Sequence, residues 1–186
     1  VYVSGQTYSP AFPVGAMTTG GNISFQPAFG GGANDGFVFS LSSVGQPRWA
    51  TFLGGSGNEE RAWSNVRLDS TGNVYVGGRI ESAGLATTGA FQTLLNGPTD
   101  AFVAKYASDG ARLAFTYLGG SGVDGGGVND CMEIDAQGRI VISGQTMSTD
   151  FPFNPSNPLF TQHSNDPTVP SDPTGQDGFV AVLNSD

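Results

Sequence analysis

The side chains that could do chemistry in this 186-residue chain are a single histidine and a few clustered carboxylates. A Ser-His-Asp triad would have to use His163, which lies in a proline-rich stretch that is a poor support for a general base. Glu59-Glu60 and the trio Asp130, Glu133 and Asp135 could supply the paired carboxylates of a glycosidase. Residues two apart on a strand share a face without forming an acid–base pair, however. We therefore predict no catalytic residues and no enzyme.

Calcium is the metal that we consider as a minor hypothesis, because carboxylate, amide and backbone oxygens in glycine-rich turns are the ligands it prefers. The weak candidates are Asp124, Asn129 and Asp130. Their segment lacks the alternating acidic spacing of a calcium loop, and Asp commonly serves in turns without any ion. We therefore predict no metal site and no cofactor, with calcium as the alternative.

Two glycine-rich hexapeptides, FLGGSG at residues 52–57 and YLGGSG at residues 117–122, have the composition of a phosphate-binding loop. Such a loop needs a following helix whose free N–H groups face the anion, usually with a Lys and a Ser or Thr. Here polar and glycine-rich residues lead instead into short apolar runs. The copies are better interpreted as the exit of a strand into a turn, where glycine relieves backbone crowding.

The rest of the chain repeats as well. Asp35-Gly-Phe-Val recurs 65 residues later as Asp100-Ala-Phe-Val, and 77 residues after that as Asp177-Gly-Phe-Val. The opening segment, residues 1–7, matches residues 74–80 and 140–146, and an acidic turn precedes each later copy. A fixed long period is typical of a solenoid, a propeller or an array. We expect matching segments to occupy equivalent strands.

Each period contains four short runs with the composition of strands. In the central unit these are residues 62–68, 74–80, 101–106 and 112–118, which are rich in β-branched and aromatic residues and bounded by Gly, Asp, Asn and Ser. Nowhere do apolar residues keep helical spacing over the dozen or so residues that a helix needs. The sequence therefore predicts an all-β fold.

The repeated motifs D-[GA]-F-V and [FY]-L-G-G-S-G, the acidic turn, and the connectors TDFP at 149–152 and GAFQT at 89–93 resemble the bacterial seven-bladed β-propeller repeat family, abbreviated SBBP. The resemblance covers nearly the whole chain, with departures at residues 84–86 and 154–176. It implies four-stranded antiparallel blades in a secreted or cell-surface bacterial protein. It implies no active-site motif.

With the strands of a blade called A to D, the chain runs B-C-D, A-B-C-D, A-B-C. We divide its single repeat domain, about 2.5 repeats, into a partial blade at 1–57, a full blade at 58–122 and a partial blade at 123–186 with a proline-rich insertion at 151–176. The first residue is not Met and lies inside a motif, which suggests excision from something longer. We expect an incomplete propeller, completed by other copies or by a longer chain.

Open strand edges are sites of pairing, so the terminal strands form the predicted interface. Its residues are Val1, Tyr2, Val3, Phe179, Val180, Ala181, Val182 and Leu183. The proline-rich insertion is the predicted ligand-binding loop, because a variable loop on a rigid scaffold is where binding usually occurs. Its candidate residues are Phe151, Phe153, Phe160 and His163.

The net charge of −9 repels phosphate backbones and anionic lipid, which argues against nucleic acid and membranes as partners. The one cysteine, Cys131, is expected to be a small buried residue at the start of a strand. The leading hypothesis is a structural or adhesive module that assembles with copies of itself or with further repeats, a filament being one form of that assembly. The second is recognition of an extracellular glycan or a protein, and the third is a polysaccharide-active enzyme.

Overall fold

The computed structural model describes residues 1–59, 65–125, 131–152 and 175–185. These residues contain no helix, and therefore none long and apolar enough to cross a membrane. They form ten strands, which confirms the all-β prediction: β1 (Tyr2–Thr7), β2 (Asp35–Leu41), β3 (Pro47–Leu53), β4 (Asn65–Leu68), β5 (Val74–Ile80), β6 (Asp100–Tyr106), β7 (Arg112–Leu118), β8 (Cys131–Ile134), β9 (Ile140–Thr146) and β10 (Asp177–Leu183).

The strands form three antiparallel sheets in which neighbours in sequence are neighbours in space. Sheet 1 has the order β1-β2-β3, sheet 2 the order β4-β5-β6-β7 and sheet 3 the order β8-β9-β10. The matching segments occupy equivalent strands as predicted, with β1, β5 and β9 in one position and β2, β6 and β10 in the next. The described residues do not form a closed propeller. Of the predicted strand at 62–68, residues 62–64 lie outside the description.

In each acidic turn between strands, one aspartate carboxylate accepts hydrogen bonds from two backbone N–H groups of the turn. Asp69 accepts hydrogen bonds from the backbone N–H groups of Thr71 and Asn73, each at 2.9 Å. Asp135 does the same for Gln137 at 2.9 Å and Arg139 at 2.8 Å. The residue before the last in each turn is a glycine with positive φ, 87° at Gly72 and 79° at Gly138, a conformation that glycine adopts without steric cost.

The sheets stack in chain order. We call the side of a sheet that faces the next sheet its front face, and the side that faces the preceding sheet its back face. Val38 on the front of sheet 1 and Phe102 on the back of sheet 2 belong to one buried core. Val103 on the front of sheet 2 and Phe179 on the back of sheet 3 belong to a second. Alternation along a strand sends successive residues to opposite faces, so each inner strand contributes to two cores.

The outer edges of β3 and β7 are covered by the segments that precede β2 and β6. The carbonyl of Gln26 accepts a hydrogen bond from the N–H of Phe52 at 3.0 Å, and the carbonyl of Gln92 accepts one from Tyr117 at 3.2 Å. Gln92 belongs to the connector GAFQT, and Gln26 lies in Phe25-Gln-Pro27, a looser version of that connector. Covering an edge in this way removes the unpaired backbone groups that would otherwise recruit another strand.

Cys131 begins β8 as predicted, but the expectation that it is buried is wrong. Its side chain is exposed, whereas the adjacent Met132 is fully buried in the core between sheets 2 and 3. Since neighbouring residues on a strand point to opposite faces, the burial of Met132 places Cys131 on the other side.

Trp49 provides a test of the packing between sheets 1 and 2. It is fully buried, and its indole N–H donates to the carbonyl of Ser108 in the turn after β6 at 2.9 Å. We expect Trp49→Ala to lower the free energy of unfolding by about 3–5 kcal/mol, because it leaves a cavity. The control Leu113→Ala, at a site that is 50% exposed, should change it by less than about 1 kcal/mol. Urea unfolding followed by circular dichroism measures both, and equal losses would contradict the packing.

Candidate assembly interface and the junctions between sheets

Two glycine-rich loops connect one sheet to the next and pack against the turn that follows the second strand of the next unit. In junction 1, residues 54–59 contact the turn after β5, where the N–H of Gly57 donates to Ser82 Oγ at 2.9 Å. In junction 2, residues 119–125 contact the turn after β9, where the N–H of Gly122 donates to Ser148 Oγ at 2.8 Å. The same positions of the repeat therefore build both junctions.

Glycine is required in these loops because the backbone of the next unit comes too close for a side chain. A Cβ atom on Gly57 would lie 2.7 Å from the carbonyl carbon of Glu81, and one on Gly122 would lie 2.7 Å from that of Met147. A Cβ on Gly119 would lie 2.5 Å from Asp100 Oδ1 and 2.9 Å from Asp124 Oδ2. The interpretation of LGGSG as a crowded turn is confirmed.

Junction 1 contains a pair of fully buried carboxyl groups, Asp35 and Glu59. Asp35 Oδ2 accepts the N–H of Gly30 at 2.6 Å, and Glu59 Oε1 accepts the hydroxyl of Ser82. The remaining oxygens, Asp35 Oδ1 and Glu59 Oε2, have no N–H or O–H donor among the described residues, and a Cβ on Gly54 would touch both. Burial raises the pKa of both groups, and from this and the closeness of the two oxygens to the Gly54 Cβ position we infer that the pair shares a proton.

Junction 2 has carboxylates at the same repeat positions, Asp100 and Asp124, with a full set of donors. Asp124 Oδ1 accepts the hydroxyl of Thr146 at 2.5 Å, and Oδ2 accepts that of Ser148 at 2.5 Å and the N–H of Gly120 at 2.7 Å. Both oxygens of Asp100 are likewise bonded, by the side chain of Gln92 and by the N–H groups of Asn96 and Gly97.

The difference between the junctions comes from two residues. Glu59 is one methylene longer than Asp124 and reaches Asp35, while Ile80 occupies the position of the hydroxyl donor Thr146. Burial raises the pKa of Glu59 to about 8, and the hydrogen bond and charge of Asp35 act in the same direction. Burial also raises the pKa of Asp35. We infer that a proton neutralises one of the two carboxyl groups in junction 1. In junction 2, the hydroxyl groups of Thr146 and Ser148 donate hydrogen bonds to Asp124 instead.

The carboxylates proposed for glycosidase chemistry are not brought together. Glu59 is buried in junction 1. Glu133 forms an exposed ion pair with Arg67, at 2.7 Å, and Asp135 forms one with Arg139, at 2.7 Å. Glu60 and Asp130 lie outside the described residues.

Of the three calcium candidates, the structure describes only Asp124. Both oxygens of Asp124 accept hydrogen bonds inside junction 2. Asn129 and Asp130 lie outside the described residues, so the calcium alternative stays a prediction. Within the described part of the chain, no three metal-ligating side chains cluster.

Phe151, the first candidate residue of the predicted ligand-binding loop, is buried. Phe151 is 5% exposed, and its ring lies 4.6 Å from that of Phe179 in the core between sheets 2 and 3. The prediction that it faces a ligand is wrong, because its apolar ring is needed to close that core. Phe153, Phe160 and His163 lie outside the described residues.

The predicted interface residues of β10 divide between its two faces. Phe179, Ala181 and Leu183 pack into the core against sheet 2, so their side chains are not available for an interface. Val180 and Val182 point the other way and are exposed. Among the strands that the structure describes, β10 pairs only with β9 and is an edge strand.

The predicted interface residues of β1 also differ among themselves. Within the described residues, β1 pairs only with β2 and is an edge strand. Tyr2 packs against the core between sheets 1 and 2, with its ring 6.0 Å from that of Trp49. Val1 is exposed and Val3 is half-buried.

Sequence reasoning missed the role of Asp35, Glu59 and Asp100. A signal was present, because Asp35 and Asp100 open the repeated D-[GA]-F-V motif and an acidic residue follows each hexapeptide at a distance of two. Each pair, however, joins residues 24 positions apart, and local spacing does not reveal such a contact.

No protein-family model matches the chain, and a search of curated proteins finds no match.

The crowding at Gly119 predicts a specific loss of stability. We expect Gly119→Ala to lower the free energy of unfolding by about 1–3 kcal/mol, since the added methyl group displaces a buried carboxylate. Gly15→Ala is the matched control, because nothing lies within 4 Å of its Cβ position. Thermal unfolding of both variants measures the difference, and a Gly119→Ala protein as stable as the control would refute the crowded junction.

The proton of junction 1 predicts a pH dependence. The folded pKa of Glu59 is raised above its ordinary value of 4.5, so the stability it contributes is present at low pH and is lost as the pH rises toward about 8. We expect the free energy of unfolding to fall across this window by up to about 1.4 kcal/mol per pH unit. Glu59→Gln, which keeps an uncharged donor, should flatten the profile.

Urea unfolding between about pH 5 and about pH 8 tests this dependence. The control Glu133→Gln removes an exposed carboxylate and should keep the slope of the parent protein. A parent profile that is flat or rises with pH would contradict the shared proton.

Proposed function

We propose that this chain is a non-catalytic structural or adhesive module of a secreted or cell-surface bacterial protein, and that it assembles through its open strand edges. The bacterial and extracellular parts of the proposal are supported by the resemblance of its motifs to the SBBP repeat. Assembly is supported by one observation, the difference between the inner sheet and the outer two.

In sheet 2, both central strands are paired on both sides, β5 with β4 and β6 with β7. Of their counterparts in the outer sheets, β2 and β9 are also paired on both sides, whereas β1 and β10 are each paired on one side only among the described strands. No strand of the described chain pairs with the second edge of β1 or of β10. Unpaired N–H and C=O groups along a flat apolar strand recruit another strand, and strand addition is a common way to join protein chains.

We further propose that the sheets are blades of the propeller type. The sheets follow one another front to back, and their first strands adjoin, since β4 contacts β8 and β1 contacts β4. The Arg67–Glu133 ion pair joins β4 to β8 across this contact. Such an arrangement extends by adding units at either end, which suits a module that forms arrays or filaments.

The register identifies which backbone groups of β10 face its open edge. In sheet 1, Leu41 exchanges hydrogen bonds with Val1, so Val38 and Ser40, at odd offsets from Leu41, direct their N–H groups away from β1. By the same alternation, Val180 and Val182 direct theirs away from β9, since Leu183 occupies the position of Leu41.

Proline at Val182 tests assembly through this edge. Val182→Pro removes an N–H donor from the open edge and leaves the bonds to β9. We expect it to weaken assembly by more than Val182→Ala, which shortens the side chain but keeps the donor. Sedimentation velocity over a concentration series measures assembly, and circular dichroism checks the fold. Equal assembly of the proline variant and the parent would contradict the proposal.

A further inference from the structure

We propose that the front face of sheet 3 binds the back face of sheet 1 of a second copy of this chain, so that copies join head to tail. The inference rests on the proposed function, for which it names the partner and the two surfaces. The contacts between sheets inside the chain support it, because in each of them the front face of one sheet is covered by the back face of the next.

The front faces differ in one respect. Val38 in sheet 1 is 0% exposed and Val103 in sheet 2 is 3% exposed, because the next sheet covers each of them. Val180 occupies the same position in sheet 3 and is 74% exposed, and Val182 beside it is 52% exposed. Val180 and Val182 therefore form an apolar surface that no described part of the chain covers.

The back faces show the complementary difference. Val74 in sheet 2 is 0% exposed and Ile140 in sheet 3 is 5% exposed, each covered by the preceding sheet. Val1 occupies the same position in sheet 1 and is 70% exposed. Phe102 is fully buried, whereas its counterpart Phe37 is only half-buried, against Phe12 at a ring separation of 4.5 Å.

Sheet 3 thus has an exposed front face and sheet 1 a partly exposed back face, and these are the two kinds of face that pack together inside the chain. The front face of sheet 3 carries Val141, Ser143, Gln145, Gly178, Val180 and Val182 along β9 and β10, none of them charged. The exposed part of the back face of sheet 1 carries Val1, Val3, Phe37 and Phe39, also uncharged. The charged groups nearest these surfaces already have partners, because the α-ammonium of Val1 donates to the carbonyl of Leu41 and Glu133, opposite Val141 on β8, pairs with Arg67. Contact between the two faces therefore buries no unpaired charge.

A second copy fits this pairing in a way that an unrelated partner need not. The back face of sheet 3, which covers Val103 within the chain, resembles the back face of sheet 1 at the same register. Phe179 and Leu183 correspond to Phe37 and Leu41, and Ile140 and Ile142 correspond to Val1 and Val3, whereas Ala181 is replaced by Phe39. Because the front and back surfaces are different, the contact is heterologous, and it continues into an open chain of copies unless the rotation closes a ring.

Two charged variants test the contact. Val180→Asp places a carboxylate on the front face, and Val1→Asp/Val3→Asp places two on the back face. Either should raise the protein concentration at which half of the copies assemble by about tenfold or more. The control is Val44→Asp, since Val44 is 79% exposed in the turn between β2 and β3 and lies on neither face. Circular dichroism and the unfolding midpoint confirm that each variant is folded.

A mixture of the two variants gives the sharper result. The front variant keeps an intact back face and the back variant keeps an intact front face, so an equimolar mixture should form a heterodimer that grows no further. Sedimentation velocity separates this dimer from longer chains. Association of two front faces would instead leave the back variant assembling normally by itself.

The outcomes distinguish this inference from the proposed function. A parent protein that stays monomeric at all accessible concentrations overturns both. A parent protein that assembles while Val180→Asp assembles equally well overturns the head-to-tail contact and leaves assembly through strand edges standing. Failure of the mixed variants to form a dimer, with each variant folded, also overturns the head-to-tail contact.

Discussion

Every sheet of this protein is apolar on both faces, and the rest of the structure depends on that constraint. In β2, β6 and β10 a phenylalanine that faces backward is followed by a valine that faces forward. A sheet with two apolar faces is stable in water only between two covers. Sheet 2 has both covers within the chain. Sheets 1 and 3 each have one, and the segment before β2, through Val14 and its neighbours, shields only part of the back of sheet 1.

The junctions satisfy a second requirement, which is to bring consecutive sheets into contact without burying unpaired polar groups. The glycines of the hexapeptides let two backbones approach, and the carboxylates beside them accept the N–H and O–H groups that this approach buries. The two junctions solve the charge problem differently, by a shared proton between Asp35 and Glu59 and by the hydroxyl groups of Thr146 and Ser148 around Asp124. A fixed backbone design therefore tolerates different side-chain chemistry, provided that each buried oxygen has a partner.

Much of the fold could be predicted from the sequence because strands, tight turns and repeats are local signals. The strand at Val74–Ile80 and the turn at Asp69 follow from alternation and turn chemistry alone. Contacts between sheets could not be predicted in this way. Phe151 was expected to face a ligand and instead fills a core, since its burial depends on Phe179, 28 residues away. Likewise, the pairing of Asp35 with Glu59 could not be predicted, because it depends on which loop packs against which turn.

The central claim is that the two outer sheets are covered when copies associate. Hydrogen–deuterium exchange at increasing protein concentration tests it most directly, because it reports on the backbone of β1 and β10 without any substitution. The account predicts that peptides covering Tyr2–Thr7 and Asp177–Leu183 become protected together as concentration rises, while the peptide covering Val74–Ile80, already buried, does not change. Exchange in β1 and β10 that is independent of concentration, in a sample shown to be assembled, would contradict it.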